Sequence, residues 1–544
     1  MKLVSQGRIW VALSRFEEKD IAKEAGFKWN PESRVWWTSS PEVALKLVSF
    51  ADTETEQSID DVLNAKKESV VASHAGNIDA DFPHPEGLDY LPFQKAGIAY
   101  AVKRPNTLFA DEMGLGKTIE AIGVINSTSP KRVLVICPAS LKLNWQRELI
   151  KWLTLPLSVE IANGVFPSTD VVILNFEAVK KHQEAIKQVS WDLLIVDEAH
   201  YLKSYTAQRT KLILGYEEKG NDFRYHTIKG IAHNAKRKLF LTGTPILNRP
   251  VELWPTVHCL DPVTFPNFMT FAKRYCGAEQ SKYGWNFSGA SNLESLQETL
   301  RGSIMIRREK KDVLKELPPK VRQVIELKID ELSHLIVEEK SKESYWKEEI
   351  RKTEQEREES KDNETAYKDA VEKLKELNLA QFTEMALLRH KTALAKAPYV
   401  VDFVKEVLES QNQVVVFAHH HDVIEVLRSG LEEFGVNVLT GENTLEERQA
   451  AVDSFQSGKS RVFVGGIQAS GLGITLTAAS TVVFAELDWV PGNLTQAEDR
   501  CHRLGQRDSV LVYHVVADGS LDARMAKVIV EKQDVADRAL NKET

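Results

Sequence analysis

LFADEMGLGKTIEAIGVI, residues 108–125, runs from a short apolar strand through a glycine-rich turn into a helical pattern. Strand, turn and helix in that order are the context a phosphate-binding loop requires. Gly114 and Gly116 let the backbone close around phosphate oxygens. The first turn of the following helix offers unpaired N–H groups at the positive end of its dipole. Within Asp111-Glu112-Met113-Gly114-Leu115-Gly116-Lys117-Thr118, Lys117 is expected to reach the β- and γ-phosphates and the Thr118 hydroxyl to hold Mg²⁺. Asp111 stands where the minimal pattern has its first glycine. A Gly-Lys-Thr turn by itself also arises by chance, so its surroundings must carry the reading.

Around the loop, short apolar runs alternate with helical segments: Leu108–Ala110, Val133–Cys137, Val171–Leu174, Leu193–Val196 and Leu239–Leu241. Runs with few polar interruptions fit strands buried on both faces of a parallel sheet. The same rhythm returns at Val414–Ala418, Val436–Leu439, Val462–Val464, Val482–Ala485 and Val510–Val516. Between the two series lies a stretch rich in Glu and Lys with almost no Gly or Pro, which suggests long exposed helices. The expected order is therefore a small module at 1–50, a partly mobile linker at 51–88 and a first lobe at 89–320. A helical insertion at 321–395 and a second lobe at 396–544, with a C-terminal helix, follow.

The chain has 544 residues, 43% hydrophobic and 27% charged, the balance of a soluble globular protein. Its N-terminus shows no secretory signal core and no long apolar span occurs, so an intracellular, soluble protein of cytoplasm, nucleoid or nucleus is expected, without a membrane partner. Four scattered cysteines offer neither a zinc spacing nor a disulfide framework. The net charge of −8 does not announce a nucleic-acid binder, but only charge lining a contact surface bears on that point.

Trp191–Val196 is an apolar run that ends in Asp197-Glu198-Ala199-His200. Such a strand delivers both carboxylates to the C-terminal edge of its sheet, where ligands bind. Asp197 suits the Mg²⁺ shell, and Glu198 suits orienting or deprotonating an attacking water. Another apolar strand ends in Thr242-Gly243-Thr244-Pro245, where Thr242 and Thr244 are candidates to sense the γ-phosphate or relay toward a nucleic-acid face. In the second series, Arg500 and Arg503 are three apart and would share one face of a helix. Guanidiniums there would act as arginine fingers on a nucleotide bound to the first lobe, an effect of roughly 10³–10⁵ in rate.

The ordered series of motifs resembles the Swi/Snf-type ATPases of helicase superfamily two. It comprises Tyr90-Leu91-Pro92-Phe93-Gln94, DEMGLGKT, Cys137-Pro138-Ala139-Ser140-Leu141 with Asn144-Trp145, DEAH and LTGTPILN at 241–248. It continues through Ile306-Arg307-Arg308, Leu317-Pro318-Pro319-Lys320 and the Gln496–Gln506 segment. Phe484–Trp489 through Gln506 looks most like the branch of HARP-domain annealing helicases, which remodel forked DNA. The resemblance implies an α/β fold of two tandem RecA-like parallel-sheet lobes, with a helical insertion and a small N-terminal α+β module. It implies ATP and Mg²⁺ as cofactors, with Gln94 recognising adenine. It further implies double-stranded or forked DNA as partner, and DNA-stimulated ATP hydrolysis coupled to translocation. Gln468-Ala469-Ser470-Gly471-Leu472-Gly473 resembles the motif coupling DNA contact to the nucleotide cleft, which singles out Gln468, Gly471 and Gly473. Lys142, Asn144, Lys203 and Arg249 are further candidate DNA contacts, chosen only because they flank motifs.

Trp29 and Trp36 lie in a pattern that faintly resembles the HARP-type substrate-recognition core, where basic and aromatic residues interleave. They would stack on unpaired bases; the competing expectation is that these tryptophans form the core of the small module. Two other functions stay open at this stage. One is a strand-separating helicase or the motor of a defence or restriction system. The other is a non-catalytic DNA-binding scaffold, which the intact Lys117, Thr118, Asp197, Glu198, Arg500 and Arg503 oppose.

Overall fold

The computed structural model describes residues 1–526 apart from 8, 32, 220–224, 244–248, 282–283, 319, 361–362 and 471–472. Thr244, Gly471 and the C-terminal helix expected from the sequence therefore lie outside the described residues. The chain divides into two compact units, Met1–Lys315 and Glu316–Val535.

The first unit opens with an antiparallel sheet of β1 (Lys2–Gln6), β2 (Ile9–Leu13), β3 (Lys28–Asn30) and β4 (Val35–Thr38), in the order β1-β2-β4-β3. Leu3, Trp10, Ala12, Ala22, Phe27, Ala44 and Leu47 fill its small core. Ile59 completes that core and comes from outside the module. It belongs to a 22-residue helix, Thr53–His74, where a linker was expected. Asp52 caps this helix by accepting from the Thr55 N–H at 3.0 Å. Few apolar residues mark the helix because its far end is held by hydroxyls. Ser69 Oγ donates to the Arg301 carbonyl and Ser73 Oγ to the Met305 carbonyl, each at 2.8 Å. The helix thus joins the module's core at one end to the large sheet at the other.

That sheet contains β5 (Asn106–Phe109), β6 (Val133–Cys137), β7 (Val159–Ile161), β8 (Val171–Asn175), β9 (Trp191–Asp197), β12 (Ala235–Leu241) and β15 (Met305–Ile306). Two hairpins, β10 (Tyr216–Lys219) with β11 (Tyr225–Ile228) and β13 (Glu279–Ser281) with β14 (Gly284–Asn286), lie outside it. The order is β15-β5-β12-β9-β6-β8-β7, parallel throughout. Apolar residues of β5, β6, β8, β9 and β12 alternate between two core layers, one on each face, as the unbroken apolar runs require. The short edge strands β7 and β15 escaped the sequence reading; two or three residues leave too little pattern.

The second unit holds a six-stranded parallel sheet in the order β16-β21-β20-β17-β19-β18. Its strands are β16 (Lys320–Leu327), β17 (Val414–Ala418), β18 (Val436–Leu439), β19 (Val462–Gly466), β20 (Thr481–Phe484) and β21 (Val510–Ala517). The sequence reading placed 321–395 in a helical insertion, yet β16 belongs to this sheet. It is an edge strand carrying Lys320, Arg322 and Glu326, and mixed charge hid its strand character. Helices Ser333–Glu359 and Glu364–Ser410 follow. They bear on each other through Lys342–Glu384 (2.7 Å), Lys373–Glu356 (2.8 Å) and a Thr392–Glu339 hydrogen bond (2.6 Å). The longer helix runs past 395 and turns apolar, so that Ala397, Val400, Val404 and Leu408 join the core of the sheet. Among the described residues no helix is long and apolar enough to cross a membrane.

Candidate active site

The loop Asp111–Thr118 leaves the C-terminal end of β5 and enters the helix Lys117–Thr128. Gly114 and Gly116 take φ of +85° and +84°, left-handed values that glycine adopts without strain. A Cβ at Gly116 would also sit 2.5 Å from Gln94 Nε2, so a side chain there would displace the Gln94 amide. Buried Gln94 braces the loop: its Nε2 donates to the Leu115 carbonyl at 3.1 Å, and its Oε1 accepts from the Leu91 N–H at 3.0 Å. Leu115 is buried and anchors the loop's centre, while Met113 packs under Gly243. Lys117 Nζ lies inside the loop and donates to the carbonyls of Asp111 (2.7 Å) and Glu112 (3.2 Å). Burial lowers its pKa, opposed by the negative charges of Glu198, Asp111 and Asp197. The Asp111 and Glu112 carbonyls are the acceptors that phosphate oxygens would replace. Thr118 opens the helix's first turn beside it.

The acidic side chains of the loop face away from its cradle. Buried Asp111 takes the backbone N–H of Arg308 at 2.8 Å and the Arg308 Nε at 3.0–3.1 Å. The Arg308 guanidinium also pairs with Glu120, from the loop's own helix, and donates to the Phe93 carbonyl next to Gln94. Glu112 accepts from the Lys310 N–H at 2.7 Å. Asp111 and Glu112, singled out as nucleotide-binding residues, therefore place their side chains in the loop's foundation. Their backbone carbonyls alone face Lys117. Burial pushes the Glu120 carboxyl up to about 8, with Arg308 opposing. Glu120 belongs to no motif in the sequence, and Arg308 is marked there only by the Ile306-Arg307-Arg308 motif. Their signal in sequence is a charged residue amid apolar neighbours.

Asp197 and Glu198 end β9 on the same edge of the sheet. β12 lies between β9 and β5, with Leu241 paired to both Asp197 and Phe109, so Thr242 emerges between loop and carboxylates. Asp197 accepts from Trp145 Nε1 at 2.8 Å and from the Glu198 N–H at 2.8 Å. Burial and the adjacent Glu198 charge push Asp197 up to about 6. Glu198 adopts φ +50°, ψ +52°, rare for a residue with a side chain and a cost of about 1–3 kcal/mol. His200 Nδ1 lies 3.2 Å from Glu198 Oε2 and 3.2 Å from Thr242 Oγ1, linking the carboxylate to the end of β12.

Residues that would hold ATP and Mg²⁺ are thus grouped on one sheet edge. The loop, with Lys117 Nζ held inside it on the Asp111 and Glu112 carbonyls, fits phosphate. The buried Asp197 carboxyl, raised by its neighbour's charge, fits a nearby cation. Trp145→Phe should raise the Mg²⁺ concentration needed for half-maximal ATP hydrolysis by about tenfold, because such orienting partners are worth 10–100-fold in metal affinity. A magnesium titration of ATP turnover checks this. As protons compete for Asp197, that requirement should also climb as pH falls through about 6.

In the second unit the sequence placed Arg500 and Arg503 on a helix. The helix Pro491–Glu498 ends before them and both sit in the turn that follows. They converge nonetheless: Arg500 Nη1 and Arg503 Nη1 reach the Ile474 carbonyl at 3.5 and 3.2 Å. Gly473, just before Ile474, has φ +74°, and Gln468 is exposed on the short helix Ile467–Ser470. In the N-terminal module Trp10 is the buried core residue. Trp29 is 48% exposed and tilts against half-buried Trp36 at 5.5 Å, beside a pocket of about 470 Å³ lined also by Arg15 and Arg34. Lys203 and Arg249 are exposed; Lys142 and Asn144 are half-buried.

Two parallel-sheet units, the first carrying a glycine-rich phosphate loop beside a carboxylate-ended strand, define a P-loop protein of the helicase type. The chain belongs to the SNF2 family: residues 93–381 match the SNF2-related domain and residues 399–505 the helicase conserved C-terminal domain. Human "DNA annealing helicase and endonuclease ZRANB3" is 35% identical over 499 residues, covering 87% of this chain and 42% of the relative. The Xenopus laevis "SWI/SNF-related matrix-associated actin-dependent regulator of chromatin subfamily A-like protein 1" is 33% identical over 476 residues, covering 85% and 45%. The chain thus spans less than half the length of these relatives. A solved "Sulfolobus solfataricus SWI2/SNF2 ATPase core in complex with dsDNA" is 21% identical, with a TM-score of 0.37, covering 82% of this chain and 92% of that one.

Proposed function

We propose that this chain is a DNA-dependent ATPase that translocates on double-stranded DNA and remodels branched DNA or protein–DNA complexes. The observation that carries the reading is the shared sheet edge, where the loop around Lys117 meets Asp197, Glu198 and Thr242. Lys117 and the loop N–H groups would bind the ATP phosphates; Thr118 and Asp197 would hold Mg²⁺, which neutralises charge on the transferred phosphoryl group. Glu198 would orient and deprotonate the attacking water. The reading assigns Gln94 to adenine and Arg500 with Arg503 to stabilising charge that develops on the γ-phosphate. It also assigns Gln468, Gly473 and Thr242 to coupling with DNA, and the Trp29–Trp36 pair with Arg34 to unpaired bases at a fork. Relatives named for DNA annealing support a duplex or forked substrate over plain strand separation.

Backbone contacts carry no base information, so binding should be indifferent to sequence and strongly weakened by salt. ATP turnover measured with single-stranded, duplex and forked DNA at low salt tests the proposal. Duplex or forked DNA should stimulate turnover, and the same chain should displace a triplex strand from duplex lacking a single-stranded tail. Absence of any DNA stimulation would sink it; unwinding of a tailed duplex would favour a strand-separating helicase.

A further inference from the structure

In the second unit, the turn that carries Arg500 and Arg503 is gripped by the chain segment that enters that unit. The Pro318 carbonyl lies 2.9 Å from His502 Nε2. Lys320 Nζ, nearly enclosed, sits 2.9 Å from both Glu498 Oε2 and Asp499 Oδ1. Arg322, two residues on and so on the same face of β16, forks onto Glu498: Nε to Oε1 at 2.9 Å and Nη2 to Oε2 at 2.6 Å. Glu498 and Asp499 are each 1% exposed, so these are buried charges matched by a nearly enclosed lysine and a more exposed arginine. Burial would raise the Glu498 carboxyl, but Lys320 and Arg322 bring it down to about 2.

The placement of this cluster is informative. β16 is an edge strand whose Val321 and Val324 are about 40% exposed, so packing gives it little reason to turn two cations inward. A buried ion pair contributes little net stability compared with apolar residues of similar volume, although breaking one is costly. What it supplies is a defined geometry. Glu498 and Asp499 are the residues immediately before Arg500, and the Arg500 carbonyl accepts from the Leu476 N–H at 2.8 Å. The turn is therefore fixed on one side by β16 and on the other by the segment Ile474–Leu476.

We propose that Lys320 and Arg322 are positioning residues for Arg500 and Arg503, holding the arginine turn in register through Glu498 and Asp499. The inference rests on the proposed ATPase reading and extends it from the arginines to what aims them. A guanidinium that stabilises a transition state must be placed to within about 1 Å, and a misplacement of that size costs about 10²-fold in rate. Neither cation belongs to the unit that carries the phosphate loop, so their loss should spare nucleotide binding.

The test uses the full chain with saturating duplex DNA, comparing wild type with Lys320→Met, Lys320→Arg and the double variant Lys320→Met/Asp499→Asn. Lys320→Met should lower kcat by about 10–100-fold while the Kd for a fluorescent ATP analogue stays unchanged. Lys320→Arg, which keeps a cation in reach of both carboxylates, should restore most of the rate. Should Lys320→Met fail to fold, the double variant, which removes the carboxylate the lysine leaves behind, is expected to fold and to show the same loss of kcat. A folded Lys320→Met or double variant with wild-type kcat overturns the proposal. So does a loss of kcat matched by an equal loss of nucleotide affinity, which marks general damage. A wild-type chain without DNA-stimulated turnover overturns the ATPase reading itself, an outcome distinct from active variants.

Discussion

Glu198→Gln should bind ATP as the wild type does and fail to hydrolyse it, with turnover reduced by about 10²–10⁴-fold, the usual worth of a positioned general base. The amide keeps the size of the carboxylate and can still meet His200 Nδ1, which lies 3.2 Å from Glu198 Oε2. It cannot take a proton from water. Glu198 is also held at φ +50°, a conformation that taxes the fold unless its side chain has a use. Glu198→Gly removes both the carboxylate and that strain, so it should abolish turnover without lowering the melting temperature. Single-turnover hydrolysis, nucleotide binding and thermal unfolding separate these effects. Wild-type turnover in Glu198→Gln would refute the assignment.

Arg308→Met should strongly destabilise the first unit. Its guanidinium serves Asp111, Glu120 and the Phe93 carbonyl at once, and Arg308, Asp111 and Glu120 are all buried. Removing one partner from a buried ion pair costs about 3–5 kcal/mol, because the charges left behind are uncompensated. For a unit of this size each kcal/mol shifts Tm by about 1–2 °C, so a fall of roughly 5–8 °C is expected. The pH dependence has a definite sign. Glu120 titrates at about 8 in the fold, above its unfolded value near 4.5, so the native state binds the extra proton. The stability linked to that proton is present at low pH and lost as pH rises through 8. Without Arg308 the Glu120 carboxyl should protonate more readily, and the deficit of the variant should be smaller at pH 5 than at pH 8. Adding Glu120→Gln should recover part of the loss. Because Asp111 anchors the loop, ATP affinity should fall as well. Thermal melts across that pH range check the first expectations, and equilibrium nucleotide binding the last.

Much of the site was legible because its chemistry is local. Gly114, Gly116, Lys117 and Thr118 lie within five consecutive residues, and their backbone requirements show directly in residue type. Asp197 and Glu198 were legible because an apolar run announced the strand that presents them. Arg500 and Arg503 were singled out on a spacing that suggested a helix face, whereas a turn after residue 498 brings them to one carbonyl. The helix Thr53–His74 was missed because its decisive contacts are serine hydroxyls, and serine reads as loop. β16 was taken for part of a helical insertion because its inward cations pair with acids distant in the chain.

By itself, the sequence determined the two apolar strand series, the phosphate loop, the carboxylate pair and the long charged helices between them. Each depends on contacts within a few residues, where residue type and spacing carry the physics. Only the tertiary structure decided what surrounds those groups. Arg308 reaches Asp111 across 197 residues because β15 pairs with β5. Trp145 reaches Asp197 across 52, and Lys320 reaches Asp499 across 179. A buried charge must find its partner wherever strand order brings one, and strand order is a property of the whole sheet.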